Sequence, residues 1–195
     1  MMGINSRWQS WGEAPPRGGS GPACPVCQTI CSKYPQSTWI ELGGGAAADV
    51  YRPNIDFQKH PNVDMVLDLE TSQLPFHDNH ADKIKAIHLW EHLSHAGALW
   101  MAKECLRVLK PGGSLYLMLS DGAFVIDRIK EEGFINDWVA CLFHSEAPDE
   151  QGFHKWSWSY ESLHAELAAV GFVGITHRGF YNRWEFKCEA FKPKP

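Results

Sequence analysis

The rhythm of apolar and polar positions changes at Thr38. Ahead of it, residues 1–37 are rich in Gly, Pro, Ser and Cys and show no hydrophobic period, which predicts an extended or weakly ordered N-terminal arm. Behind it, residues 38–195 carry the patterns of one folded domain. "TWIEL" is a short apolar run stopped by Gly43, "NIDF" is a second and "VDMVLDL" a third. "DKIKAIHL" alternates, with Ile84, Ala86 and His88 set against Lys83 and Lys85, the period of a strand. In "AGALWMAKECLRVLK", Leu99, Ala102, Leu106 and Leu109 recur at helical spacing, and "PGG" supplies the stop. "SLYLMLS" predicts a fifth strand and "AFVIDRIKEEG" another helix. Past a loop rich in aromatics and histidine, "SYESLHAELAAVG" predicts a helix with a serine start and Gly171 as its close, and "FVGITHR" and "RWEFKCEAF" predict the last two strands. Apolar strands followed by helices and then strands again predict an α/β domain, a mostly parallel sheet covered by helices.

The first connections are short. A parallel crossover normally takes a dozen residues or more, yet Ala46 to Pro53 is only eight residues. Eight residues make about two helical turns, and Pro53 disfavours helical geometry at Arg52. The next link, "QKHPN", is shorter still. One sheet face is therefore expected to be thinly covered, with the N-terminal arm or a second copy of the chain (a homodimer) as its cover.

Composition narrows the class. Eighteen basic against 23 acidic residues leave a net charge of −5, which is not the basic surface of a nucleic-acid binder. No apolar run approaches the roughly 18 residues of a membrane span, and the first residues lack the apolar core of a signal peptide; a cytoplasmic location is expected. Cys24, Cys27 and Cys31 stand in "CPVCQTIC", a single C-x2-C pair followed by a third cysteine, short of the four ligands of a structural zinc site. A degenerate or free cysteine cluster is expected, with a zinc site needing a fourth ligand such as His60 as the alternative. Nine tryptophans, with Trp138, Trp156, Trp158 and Trp184 in the C-terminal half, predict aromatic packing or a pocket lined by flat side chains.

Five motifs in order carry a resemblance: "ELGGG", "NIDF", "VLDLE", "LPFHDNHADKIKAIHLWEHL" and "CLRVLKPGGSLYLMLSD". Over roughly Trp39 to Asp121 the chain resembles the class I S-adenosylmethionine-dependent methyltransferases, and within them a small type-11-like group. The resemblance implies a Rossmann-like seven-stranded, mostly parallel sheet, here with shortened first crossovers, and S-adenosylmethionine as cofactor. It implies that Gly43 and Gly45 contact the cofactor and that Glu41 lies near its amino group. Asp56 would take the ribose hydroxyls and Phe57 the adenine face. Asp68 would face the adenine amino group with Leu69 beside it, and His88 would pass the methionine and sulfonium region. The physical sense is plain: glycines let a backbone approach a ligand closely, and a carboxylate ending the second strand can accept from a diol.

A sulfonium methyl is already activated, so the protein has to align the acceptor, exclude water and in some cases take a proton. His92 and His154 are the candidate bases, with Asp121 a third, since imidazole titrates near neutrality. The chain lacks the Asn/Asp-Pro-Pro-aromatic tetrad associated with methylation of base amino groups, having "HLWE" there. A small-molecule, sugar or lipid-linked acceptor is expected. Two other readings stay open: a catalytically degenerate cofactor-binding partner subunit, and a zinc peptidase using His88, Glu91 and His92 in an H-x-x-E-H arrangement.

Overall fold

The computed structural model describes Lys33 and residues 38–46, 51–134, 136–143 and 152–195. The cysteines at 24, 27 and 31 lie outside the described residues, as does the arm except for Lys33, whose Nζ sits 2.7 Å from Asp64 Oδ1.

Seven strands form one sheet in the order β3-β2-β1-β4-β5-β7-β6. They are β1 (Trp39–Leu42), β2 (Asn54–Asp56), β3 (Met65–Val66), β4 (Ala81–Ile87), β5 (Leu109–Ser120), β6 (Val173–Phe180) and β7 (Glu185–Phe191). The first five run parallel, and β7 is antiparallel to both β5 and β6. Strand order reverses at β1, which lies between β2 and β4, so a crevice opens at the carboxyl ends of β1 and β4, where α/β sheets bind ligands.

Register explains the core. Ile40 aligns with Ile84, Ile84 with Leu115 and Leu115 with Ala190; Leu42, Ala86, Leu117 and Cys188 make the next row. All of these side chains are buried, packed with Met101, Cys105 and Val108 of helix α1 (His95–Val108) and Leu163 and Leu167 of helix α4 (Tyr160–Val170). The alternate positions make a different surface. Glu41, Lys85, Tyr116 and Glu189 form one row across four strands, with Lys85 Nζ 2.8 Å from Glu41 and Lys83 Nζ 3.6 Å from Glu189. Lys85 also stands 4.4 Å over the Tyr51 ring. Parallel strands usually read as continuous apolar runs because both faces are covered. Here one face carries charge pairs, and the described parts of the short β1–β2 and β2–β3 links and of the β3–β4 link hold no helix.

Helix ends follow their sequence signals. Ser94 caps α1 by accepting from Gly97 N–H at 3.0 Å. Ser159 and Ser162 form a reciprocal capping box at the start of α4, and Gly171 closes it in the left-handed region at φ 116°. Asp121 caps helix α2 (Gly122–Glu132), its Oδ1 accepting from Ala123 and Phe124 N–H. Two features differ from expectation. The α1 helix ends at Val108, before "PGG", because Leu109 turns extended and begins β5. The Pro–Gly–Gly segment then forms an irregularity within β5, where pairing jumps from Ala81–Leu109 to Lys83–Ser114. A short helix α3 (Asn136–Phe143) also arises within the predicted aromatic-rich loop, and a 3-10 turn (Trp90–His92) links β4 to α1.

An ionic clasp holds the long β3–β4 link against α1. The Glu104 carboxylate is buried and accepts from Leu74 N–H at 2.9 Å and from Arg107 Nε and Nη2 at 3.0 and 2.8 Å. Arg107 also donates to the Leu74 and Phe76 carbonyls.

Candidate cofactor and acceptor site

The glycine turn sits at the end of β1, and each of its amides has a different partner. Gly43 N–H donates to the Ile55 carbonyl at 2.8 Å, Gly44 N–H to Asn54 Oδ1 at 3.2 Å and Gly45 N–H to Asp56 Oδ2 at 2.8 Å. Gly44 is fixed by space: a Cβ there would come within 2.6 Å of Asn54 Oδ1 and 2.8 Å of Glu41 Cγ. Gly45 is fixed by conformation: its φ is 53°, and a Cβ there would meet nothing within 4 Å. The turn thus presents an open backbone edge to the crevice.

Asp56 stands beside it at the end of β2, its Oδ1 accepting from Gln58 N–H at 2.8 Å. Each carboxylate oxygen has two lone pairs, so one acceptor site on each remains after the Gly45 and Gln58 contacts. The neighbouring Phe57 ring is 44% exposed. Asp68 accepts from Glu70 N–H and Thr71 Oγ1, both at 2.9 Å, while Leu69 is buried in the core. The Leu67 N–H to Asp56 carbonyl bond, at 2.9 Å, ties the two acidic turns together.

Glu41 belongs to the polar face of the sheet. Its Oε2 accepts from Lys85 Nζ and, at 3.2 Å, from Tyr51 N–H. Burial pushes this carboxyl above its ordinary range, against the lowering by Lys85 and the Tyr51 amide. The partner Lys85 was not anticipated, although its alternation with Ile84 and Ala86 placed it on the non-core face.

His88 ends β4 in the left-handed region, at φ 51°, next to the glycine turn: a Cβ on Gly43 would touch Leu89 Cβ at 3.1 Å. Its Nδ1 lies 3.0 Å from Glu91 Oε1 and its Nε2 lies 3.2 Å from Glu185 Oε1. The Glu91 hydrogen bond lifts the imidazole above its usual value despite partial burial, and both carboxylate charges add to the lift. Glu91 is wholly buried; burial pushes its carboxyl up, and His88 outweighs that, leaving it below the ordinary range. Glu185 escaped sequence reasoning because β7 inserts between β5 and β6, which no local pattern reveals. His92 and His154 come together, with ring centroids 4.9 Å apart, and His92 Nδ1 lies 3.2 Å from the Phe153 carbonyl. His88 precedes the 3-10 turn in a left-handed conformation and His92 ends that turn, so the two do not share the helix face that an H-x-x-E-H zinc site needs. Among the described residues no His, Cys, Asp and Glu group has metal-binding geometry.

Residues 44–117 match the family described as methyltransferase domain. Over that stretch the chain is similar to a methyltransferase domain. The match is consistent with the type-11 group. Solved structures with the same fold include an S-adenosylmethionine-dependent methyltransferase from Mesorhizobium loti, at 13% identity and TM-score 0.56, covering 78% of this chain and 90% of that one. A possible histamine N-methyltransferase from Thermotoga maritima aligns at 14% identity and TM-score 0.55, over 86% of this chain and 88% of that one. A putative methyltransferase solved in complex with the Trm112 activator from Haloferax volcanii aligns at 13% identity and TM-score 0.52, over 80% and 83%. No curated protein matches the chain. S-adenosylmethionine is the cofactor of such a domain. For its nucleoside end the site offers the open edge at Gly45, hydrogen-bonded to Asp56 with its remaining acceptor positions, and the exposed Phe57 that follows Asp56 in the chain. No described helix is long and apolar enough to cross a membrane.

Proposed function

We propose that the domain transfers a methyl group from S-adenosylmethionine to a small-molecule, sugar or lipid-linked acceptor. The observation that carries this reading is the Gly43–Gly45 turn with Gly45 N–H tied to Asp56 and open space in front of it. In this reading Asp56 accepts from the ribose hydroxyls and Phe57 lies on the adenine face. Asp68 and the Leu69 backbone face the adenine amino group, and Gly43 and Gly45 let the main chain approach. Glu41, held by Lys85, would act on the methionine end only through that pair. When bound, the cofactor supplies an activated methyl; the chain supplies position, a dry setting and a proton acceptor. For a hydroxyl acceptor the bases are His92 and His154, brought side by side at the end of the 3-10 turn.

Calorimetric titration with S-adenosylmethionine and its demethylated product tests the cofactor assignment, and no heat at millimolar ligand would sink it. Turnover of labelled methyl over an acceptor panel then tests catalysis. A second reading, a degenerate cofactor-binding subunit that acts through a partner, is favoured by the engagement of Glu41 with Lys85. It predicts cofactor binding with no turnover on any acceptor unless a partner protein is present.

A further inference from the structure

We propose that His88, Glu91 and Glu185 form the acceptor-side proton-transfer group of this site and that the acceptor they take is an amine, bound as its ammonium ion. The inference rests on the methyl-transfer reading and deepens it.

Three observations converge. His88 holds a left-handed backbone that non-glycine residues seldom adopt, and its N–H is fastened to the Met118 carbonyl at 2.8 Å. That geometry sets the ring between two carboxylates at the carboxyl edge of the sheet. On the inner side Glu91 is 2% exposed; its Oε1 meets Nδ1, and its Oε2 has no hydrogen-bond partner. A buried carboxylate on Nδ1 fixes the ring's orientation and tautomer, as the aspartate of a Ser-His-Asp triad does. On the outer side Glu185 faces Nε2, and its second oxygen is held by Asn182 Nδ2 at 2.6 Å.

Charge selects the ligand. Two carboxylates share one imidazole, and among the described residues no lysine or arginine pairs with Glu91 or Glu185. Other ionisable groups nearby include His154 beside Glu91, Lys155, whose N–H donates to the Glu91 carbonyl while its Nζ lies 3.4 Å from Glu70, and Cys141 of α3 beside Asp137 and Glu185. The Trp184 ring, adjoining Glu185 in sequence, lies 6.4 Å from that of Trp138. A surplus carboxylate at the edge of the sheet is a setting for a cation, here an ammonium ion.

The chemistry closes. The ammonium takes the Glu185 carboxylate in place of His88 Nε2. The displaced Nε2 proton passes to solvent from the part-exposed edge of the ring, so that His88 donates only through Nδ1, to Glu91, and its Nε2 lone pair accepts one ammonium proton. The freed nitrogen lone pair forms the bond to the methyl carbon while the methyl–sulfur bond breaks, its electron pair staying on sulfur. The imidazolium then releases its proton to solvent from its part-exposed edge.

The test uses the full chain and three probes of one shape: phenethylamine, 2-phenylethanol and phenylacetate. Binding is followed by tryptophan fluorescence and by the imidazole NMR signals of His88, with and without S-adenosylhomocysteine. The amine is expected to bind about tenfold or more tightly than the alcohol or the acid and to shift the His88 signals. E185Q is expected to remove that preference and leave alcohol binding unchanged. H88Q is expected to keep amine binding and lose about a hundredfold in labelled-methyl transfer to it. Should E185Q fail to fold, N182A, which releases only the second Glu185 oxygen, is expected to weaken the same preference. Equal affinities for amine and alcohol, no binding of any probe, or an undiminished preference in E185Q or N182A would overturn the proposal. S-adenosylhomocysteine binding separates the outcomes: its loss refutes the methyl-transfer reading, while its retention without an amine preference refutes only this inference.

Discussion

Alanine at Gly45 and alanine at Gly44 make opposite demands on the protein, and their comparison tests the cofactor turn directly. At Gly45 the φ of 53° costs an alanine about 1–2 kcal/mol. A stiffer unfolded chain returns about 0.4–1 kcal/mol of that. No atom lies within 4 Å of the new methyl, so the net loss is about 1 kcal/mol, a fall in Tm of about 2–4 °C for a chain of this size. At Gly44 the methyl would press on Asn54 Oδ1 at 2.6 Å. Asn54 is fully buried and donates to the Asn62 and Gly45 carbonyls at 2.9 and 3.4 Å, so it has little room to move. Overpacking of that kind costs about 1–3 kcal/mol. Scanning calorimetry should therefore rank G44A as the less stable variant. Isothermal titration with S-adenosylmethionine should rank them the other way, with G45A losing about tenfold or more in affinity because its methyl fills the open edge. If G45A binds the cofactor as the native chain does, the glycine turn serves β1 and β2 alone and the site assignment fails.

Three further outcomes follow from the geometry. D56A removes the acceptor of both Gly45 and Gln58 N–H; it should lose about 2 kcal/mol in denaturant unfolding and all measurable cofactor binding. R107M leaves the Glu104 carboxylate buried without its cation and should cost about 3–5 kcal/mol, read as a fall in Tm of roughly 10 °C. Stability should also depend on pH through His88 and Glu91. His88 is raised in the fold, so its contribution is present below the ordinary value of 6.5 and fades as pH climbs through the raised one. Glu91 is lowered, so its contribution is present above 4.5 and fades as pH drops through the depressed value. In thermal melts across pH, H88Q should flatten the alkaline decline and E91Q should flatten the acid one.

Much of the fold was legible because its core strands alternate. The pattern around Ile84 and Ala86 placed β4 and separated its faces, and Ser159 with Gly171 marked both ends of α4. Local chemistry also marked the glycine turn, since Gly44 and Gly45 stand where space and φ leave little choice. The stop signal in "PGG" misled, because Leu109 had already left the helix and the strand absorbed Pro111 to Gly113 as an irregularity. The role of Glu41 was obscured by register: a carboxylate two residues before a glycine turn lies either at the mouth or on the sheet face, and Lys85 decides between them only once β1 and β4 are aligned. Glu185 required the topology itself, since 97 residues separate it from His88.

The edge of the sheet that carries Asp56 is built from three residues of β2 and two of β3, while β5 next to the core runs for 12. Opening energies follow such differences, so the amides of Ile55, Asp56 and Leu67 should exchange with solvent through local fluctuations, and those of Leu115 and Leu117 only when the whole domain unfolds. A nucleotide seated across that edge would bridge the segments that helices tie down in longer crossovers. Its affinity would then contain the work of quieting them, and slowed exchange confined to β2 and β3 would be the mark of an occupied site.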